Sequence, residues 1–199
     1  MPTSRIAAVR ISLLSLVALS LAFFVPISAH AQDKVELFGG FSYVRGEVTS
    51  VQPTPAPPPP PTMTQHPNLF GWEFSGAYKF FPFLSANLDF GEQYGKLNGG
   101  SVRLRTILFG PQLSLPGPVS PFVHAEFGFA HESVGAYTNS VFISPGTDTS
   151  FATALGGGLD VKVVPFLGLR LIQIDDLRTS LYGRTQNQPR VSAGIIFRF

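Results

Sequence analysis

Pro189-Arg-Val-Ser-Ala-Gly-Ile-Ile-Phe-Arg-Phe199 is the stretch on which the reading of the chain turns. Val191, Ala193, Ile195, Phe197 and Phe199 share one parity, and Arg190, Ser192, Gly194, Ile196 and Arg198 share the other. Strict alternation of this kind describes a strand with two unlike faces. An apolar face that carries Phe197 and Phe199 to a bare terminus is poorly suited to water. It fits a strand whose apolar face meets lipid while its other face lines a polar lumen.

The same pattern recurs upstream. Val35, Leu37, Gly39, Phe41 and Tyr43 oppose Glu36, Phe38, Gly40 and Ser42. Trp72, Phe74, Gly76, Tyr78 and Phe80 oppose Glu73, Ser75, Ala77 and Lys79, and Leu84, Ala86, Leu88 and Phe90 oppose Ser85, Asn87 and Asp89. The run from Val102 to Leu115 alternates less cleanly, because Arg103 and Arg105 share a parity with Ile107 and Phe109. A bulge, or emergence from the membrane, is expected there. Val123, Ala125, Phe127 and Phe129 then oppose His124 and Glu126, and the run Phe151–Val163 sets its apolar residues against Asp160, Lys162 and glycines. Leu167, Leu169 and Leu171 oppose Arg170, with parity lost after Ile172. With the terminal stretch this makes eight segments of about ten residues, the length a tilted strand needs to cross a bilayer.

The connections carry a second signal. Phe81-Pro82-Phe83, Pro116 to Ser120 and Pro165-Phe166 are short, whereas Val48–Pro67, Ser133–Thr149 and Thr179–Gln188 are longer and polar. Short turns at one end and longer loops at the other is the pattern of an outer-membrane barrel. Lipid forbids an open sheet edge, so the sheet must close. The fold expected is therefore all-β, an eight-stranded antiparallel up-and-down transmembrane barrel. Aromatic residues near strand ends suit interfacial girdles: Phe80, Phe81, Phe83, Phe122, Phe166 and Phe199 on the turn side, Phe70, Trp72, Tyr94 and Phe151 on the loop side. The loop at 48–67 contains the proline tract Gln52–Pro61, read as an exposed extended spacer.

Residues 1–31 read as a signal peptide. Arg5 and Arg10 precede the apolar run Ile11–Val25, and Ala29-His30-Ala31 has the small-x-small cleavage pattern. Cleavage after Ala31 leaves 32–199 as one barrel domain. Loss of the two arginines takes the formal charge from +2 to zero, which gives a nucleic-acid partner no electrostatic support. Cysteine is absent, so no disulfide framework is available.

These features resemble the small eight-stranded outer-membrane barrels of the OmpA-transmembrane and OmpX type, within the porin-like "outer membrane protein β-barrel domain" group of Gram-negative cells. The resemblance rests on the signal peptide, the alternating strands, the Gly-rich stretch Gly156-Gly157-Gly158 and the terminal Arg198-Phe199. It implies residence in the outer membrane among lipid and lipopolysaccharide. It also implies delivery by the barrel-assembly machinery, with Phe199 as the recognition signal, and a monomer without cofactor.

Functionally, the inward parity predicts a lumen charge network of Glu36, Glu73, Lys79, Asp89, Glu126, Asp160, Lys162, Arg170 and Arg198. Counting from the turns, Asp89, Glu126, Asp160 and Arg170 fall near mid-barrel. Lys79, Lys162, Arg198, Glu36 and His124 fall nearer the periplasmic mouth. Strand adjacency lets Asp160 reach Arg170 and Arg198 reach Glu36. Eight strands enclose a space that side chains just fill, so paired charges there form a plug. The expected role is non-enzymatic, structural or in surface interaction through the extracellular loops with a ligand the sequence does not name. A narrow porin-like channel is one alternative. A lipid A deacylase is another, since some relatives use a His-x-Ser pair, and His131-Glu132-Ser133 has that spacing. Val134 stands where the deacylase pattern has asparagine, and no acid appears near the outer end of the next strand. A soluble periplasmic β-barrel that binds an apolar ligand is the third. No metal-ligating cluster is apparent.

Overall fold

The computed structural model describes residues 34–51, 62–97, 100–138 and 141–199. The expected signal peptide and the proline tract Gln52–Pro61 lie outside the described residues. Eight strands close into one antiparallel barrel: β1 (Val35–Arg45), β4 (Asn68–Phe81), β5 (Leu84–Leu97), β6 (Gly100–Ser114), β7 (Val119–Thr138), β8 (Val141–Val164), β9 (Leu167–Thr179) and β10 (Gln186–Arg198). Two short strands between β1 and β4, β2 (Val48–Val51) and β3 (Thr62–Gln65), pair only with each other. Closure is made by β10 on β1, from Glu36 opposite Arg198 to Val44 opposite Arg190. The terminal residue is held as well: Phe199 N donates to Val35 O at 2.9 Å, and Val35 N donates to Phe199 O at 3.0 Å.

The alternation is turned inside out relative to a water-soluble protein. Phe127, Phe129, Ile107 and Leu155 are exposed on the outer wall, Leu155 at 68%, while Arg190, Asp175, Glu73 and Asp89 inside are at most 1% exposed. The soluble alternative required the charged face to be the solvated one, and here it is the buried one. Burying charge is tolerated only with partners, whereas an apolar exterior demands an apolar surround. The outer wall is therefore built to meet lipid.

Several local expectations need correction. Arg103 and Arg105 mark no bulge, because β6 keeps one continuous register with β5 from Leu97 opposite Gly100 to Leu84 opposite Leu113. The two arginines stand outward where the strand has left the apolar band. A bulge does occur in β9, where Leu171 and Ile172 both face outward and the register shifts against Asp160 on β8 and Ser192 on β10. That extra residue inverts the parity of the rest of β9 and turns Gln173, Asp175 and Leu177 inward.

The connections also differ. Ser133–Thr149 is mostly the continuation of β7 and β8 as a long hairpin beyond the band. Val48–Pro67 holds the β2–β3 ribbon. Thr179–Gln188 shrinks to a six-residue link containing the 3-10 turn Leu181–Gly183. Polar strands outside lipid have no apolar face to alternate with, so they read as loop. Phe122, expected in the girdle, points inward and is 3% exposed.

The lumen is layered. Its middle is polar, and toward the extracellular end Val44, Leu69, Val102, Leu104, Leu108, Ala130, Ala152, Ala154, Leu177 and Leu181 form an apolar cluster beside the buried Gln93, Thr106, Thr179, Gln186 and Gln188. The apolar inward parity of β6, which made its alternation look unclean, is the wall of this cluster.

Candidate functional site

The centre of the lumen is organised on Arg190. Its guanidinium reaches Asp89 Oδ1 at 2.8 Å, Asp175 Oδ2 at 2.8 Å and Glu73 Oε2 at 3.5 Å, so β10 is tied across the barrel to β5, β9 and β4. Gln173 Nε2 donates to Glu73 Oε1 at 2.9 Å and to Asp175 Oδ2 at 2.8 Å. Ser192 Oγ donates to Glu73 Oε2 at 2.6 Å, and Asn87 Nδ2 donates to Glu126 Oε1 at 2.6 Å. His124 packs beside them, with Nε2 2.8 Å from Asp175 Oδ1 and Nδ1 3.7 Å from Glu126 Oε1, beyond hydrogen-bond distance. Despite this gathering of acids and an imidazole, no group among the described residues has the geometry to hold a metal ion.

Two smaller groups lie below. Arg170 makes a bidentate pair with Asp160, through Nε at 2.9 Å and Nη2 at 3.1 Å, and Nη1 donates to Gln173 Oε1 at 2.6 Å. Its guanidinium carbon also sits 4.5 Å from the centre of the Phe38 ring and 4.2 Å from that of Phe122. A planar cation between two rings is held by both charge and stacking. Near the periplasmic mouth, Glu36 Oε1 receives Lys79 Nζ at 2.7 Å and Arg198 Nε at 2.6 Å. Lys162 is exposed at the end of β8, outside this buried set.

The structure thus gathers Glu36, Lys79 and Arg198, pairs Asp160 with Arg170, and places Glu73, Asp89 and Glu126 in the central group. It adds His124 to that centre, where turn counting had placed it lower. Arg190, Asp175 and Gln173 are residues of this network that the sequence reading missed. Arg190 shares the parity of Arg198, which was a usable signal, but the loop was expected to run to Gln188, whereas the terminal strand starts at Gln186 and carries Arg190 into the lumen. Arg170→Leu is expected to lower the barrel's unfolding midpoint, because Asp160 would stay buried with no cation. An unchanged midpoint in a detergent melt would contradict the layering.

His131 and Ser133 lie on the outer wall of β7. His131 Nδ1 is 2.7 Å from Thr149 Oγ1, and Ser133 pairs in register with Thr147. Asp148, between those threonines, has the opposite parity and accepts the amides of Thr149 and Tyr182 instead. Among the described residues no carboxylate orients His131, and a hydroxyl takes that place.

Glu132 faces inward at the extracellular rim. Its neighbours across the ladder, Leu104 and Asp148, put it one step beyond the level where Glu92, Arg105 and His131 already carry charge on the outer wall, so it lies outside the lipid band. Burial, and then the nearby Asp148 carboxylate, push its carboxyl up to about 7. A carboxyl raised above its unfolded value of roughly 4.3 stabilises the fold fully below that value, and the contribution is lost as pH rises through the folded one. Stability is therefore expected to fall between about pH 5 and pH 8. Glu132→Gln should flatten that slope in urea titrations at both pH values, and a slope unchanged by the substitution would assign it elsewhere.

Comparison with known proteins adds the fold's company. No protein-family model matches the chain, and no curated protein matches its sequence. Among solved structures, the attachment invasion locus protein Ail of Yersinia pestis superposes with a TM-score of 0.58 at 14% identity, covering 84% of this chain and 99% of that one. Neisserial surface protein A superposes with a TM-score of 0.59 at 15% identity, covering 83% of this chain and 97% of that one. The chain has the fold of the small eight-stranded outer-membrane β-barrels. A second Ail structure, in complex with the heparin analogue sucrose octasulfate, matches with a TM-score of 0.57 at 15% identity, over 84% of this chain and 99% of that one.

Proposed function

We propose that the chain is a monomeric, non-enzymatic barrel of the outer membrane that acts through its extracellular end. The observation that carries this reading is the double closure of the lumen. The Arg190 group fills the middle, and the outer half is packed by the apolar cluster with Leu181 together with the buried Gln93, Thr106, Gln186 and Gln188. A path for ions would have to cross both. At the extracellular end the chain continues beyond the apolar band as the β2–β3 ribbon and the β7–β8 hairpin. Ail and neisserial surface protein A, named for attachment and for the cell surface, share the fold and support a role of that kind. His131, with Thr149 where a hydrolase would hold an acid, supports the non-enzymatic side of the proposal.

Outer-membrane lipid surrounds the wall in this reading, and Phe199 presents the assembly signal. The test combines three measurements on the refolded protein. An unboiled band migrating ahead of the boiled one on a detergent gel is expected, as are a silent planar bilayer and no release of acyl chains from lipid A. Steady single-channel conductance would favour the narrow channel, and acyl release abolished by Ser133→Ala would favour the hydrolase.

A further inference from the structure

The outward positions at the two ends of the wall formed by β5, β6 and β7 differ in kind. At the periplasmic end they are apolar: Phe83, Leu115 and Val119 are all at least half exposed. At the extracellular end they are Lys96 on β5, Arg103 and Arg105 on β6, and His131 on β7. Unbroken register sets Glu92 opposite Arg105 and Arg105 opposite His131, with Tyr94 opposite Arg103. Glu92 Oε1 lies 2.5 Å from Arg105 Nε and 3.8 Å from Arg103 Nε, while the Arg103 guanidinium stands 5.0 Å from the Tyr94 ring centre. One carboxylate against three cations leaves the patch at net +2 with His131 neutral. Across the barrel, Arg178 is matched by Asp176 at 2.9 Å, so β9 contributes no comparable excess.

We propose that this patch seats the phosphate of an anionic lipid of the outer leaflet, an inference that rests on the membrane placement above. The next outward positions on the same three strands are Phe90, Ile107 and Phe129, with Phe129 63% exposed. A ligand that fits therefore carries an anion directly above acyl chains. A soluble anion gains nothing from that wall, whereas a phospholipid-like molecule uses both parts. Arginine pairs bind phosphate bidentately, and cations next to an anionic headgroup layer each strengthen attachment by about five-fold.

The only tryptophan, Trp72, lies opposite Glu92 in the β4–β5 register and faces outward, so its fluorescence reports the site. The full barrel in phosphatidylcholine bilayers would be titrated with bisphosphorylated lipid A, with lipid A stripped of both phosphates, and with inorganic phosphate. A saturable change with the first alone is expected. It should weaken about ten-fold or more in the K96A/R103A/R105A variant and tighten in Glu92→Gln, one cation alone being worth about five-fold. Lys96, Arg103 and Arg105 are exposed and Glu92→Gln keeps the size of the side chain, so both variants should keep the heat-modifiable band. If the triple variant fails to fold, Glu92→Gln decides alone. An equal response to the dephosphorylated lipid, a matching response to inorganic phosphate, or titrations unmoved by the substitutions would overturn the site while leaving the membrane reading intact. A chain that never enters the bilayer would overturn both.

Discussion

Arg190→Leu is expected to cost the barrel most of its stability. The guanidinium is completely buried and stands among Asp89, Asp175 and Glu73. Removing a cation from a buried group leaves its carboxylates desolvated and mutually repelling, a loss of roughly 3–5 kcal/mol where one pair is broken. Whole domains are stable by only about 5–15 kcal/mol, so the remaining margin is small. The measurement is urea unfolding in bilayers, followed by the boiled and unboiled mobilities. Arg190→Lys should give an intermediate midpoint, since it keeps the charge and loses the fork that spans three strands. Asp175→Asn should restore part of the loss in the leucine background, because it removes one of the stranded charges. A midpoint for Arg190→Leu equal to the parent would mean that the central group is not what holds the strands together.

That residue also shows where sequence reading stops. Strand pairing in lipid imposes a period of two on long stretches, and so the closure, the faces and the Asp160–Arg170 and Glu36–Arg198 adjacencies were all legible. The period says nothing once a bulge intervenes. Asp175 and Asp176 are adjacent acids, and alternation counted from Leu167 gives Asp175 the outward face. The extra residue at Leu171–Ile172 reverses this, and it is what delivers Asp175 to Arg190. Glycines make room for the result. A Cβ on Gly156 would lie 2.3 Å from the carbonyl oxygen of Ile174 in β9, and it would also collide with the Asp175 carboxylate. The Gly-rich stretch was legible as close packing, but the partner it packs against was not. The apolar cluster was obscured for a different reason. Leu104 and Leu108 are apolar on the inward parity opposite an equally apolar Ile107 and Phe109, and a strand apolar on both faces loses its contrast.

Leu88→Arg separates a lipid-facing wall from every soluble alternative. Leu88 lies on the outer face of β5, four residues from the turn-side Leu84 and four from Glu92, at the middle of that strand's apolar span. It is 42% exposed, so the substitution breaks no core contact. In water an arginine there would be close to neutral, and it would relieve an exposed apolar patch. In a bilayer, arginine at the midplane costs about 2–4 kcal/mol, falling to about 0–1 kcal/mol near the interface. The barrel folded in bilayers should therefore lose roughly that much in urea titration. Leu115→Arg, beyond the end of β6 on the turn side, should lose little. The contrast between the two positions matters more than either value, because it measures depth. Equal and negligible effects would mean that no hydrocarbon surrounds the wall, and the exposed phenylalanines would then need a protein partner to cover them.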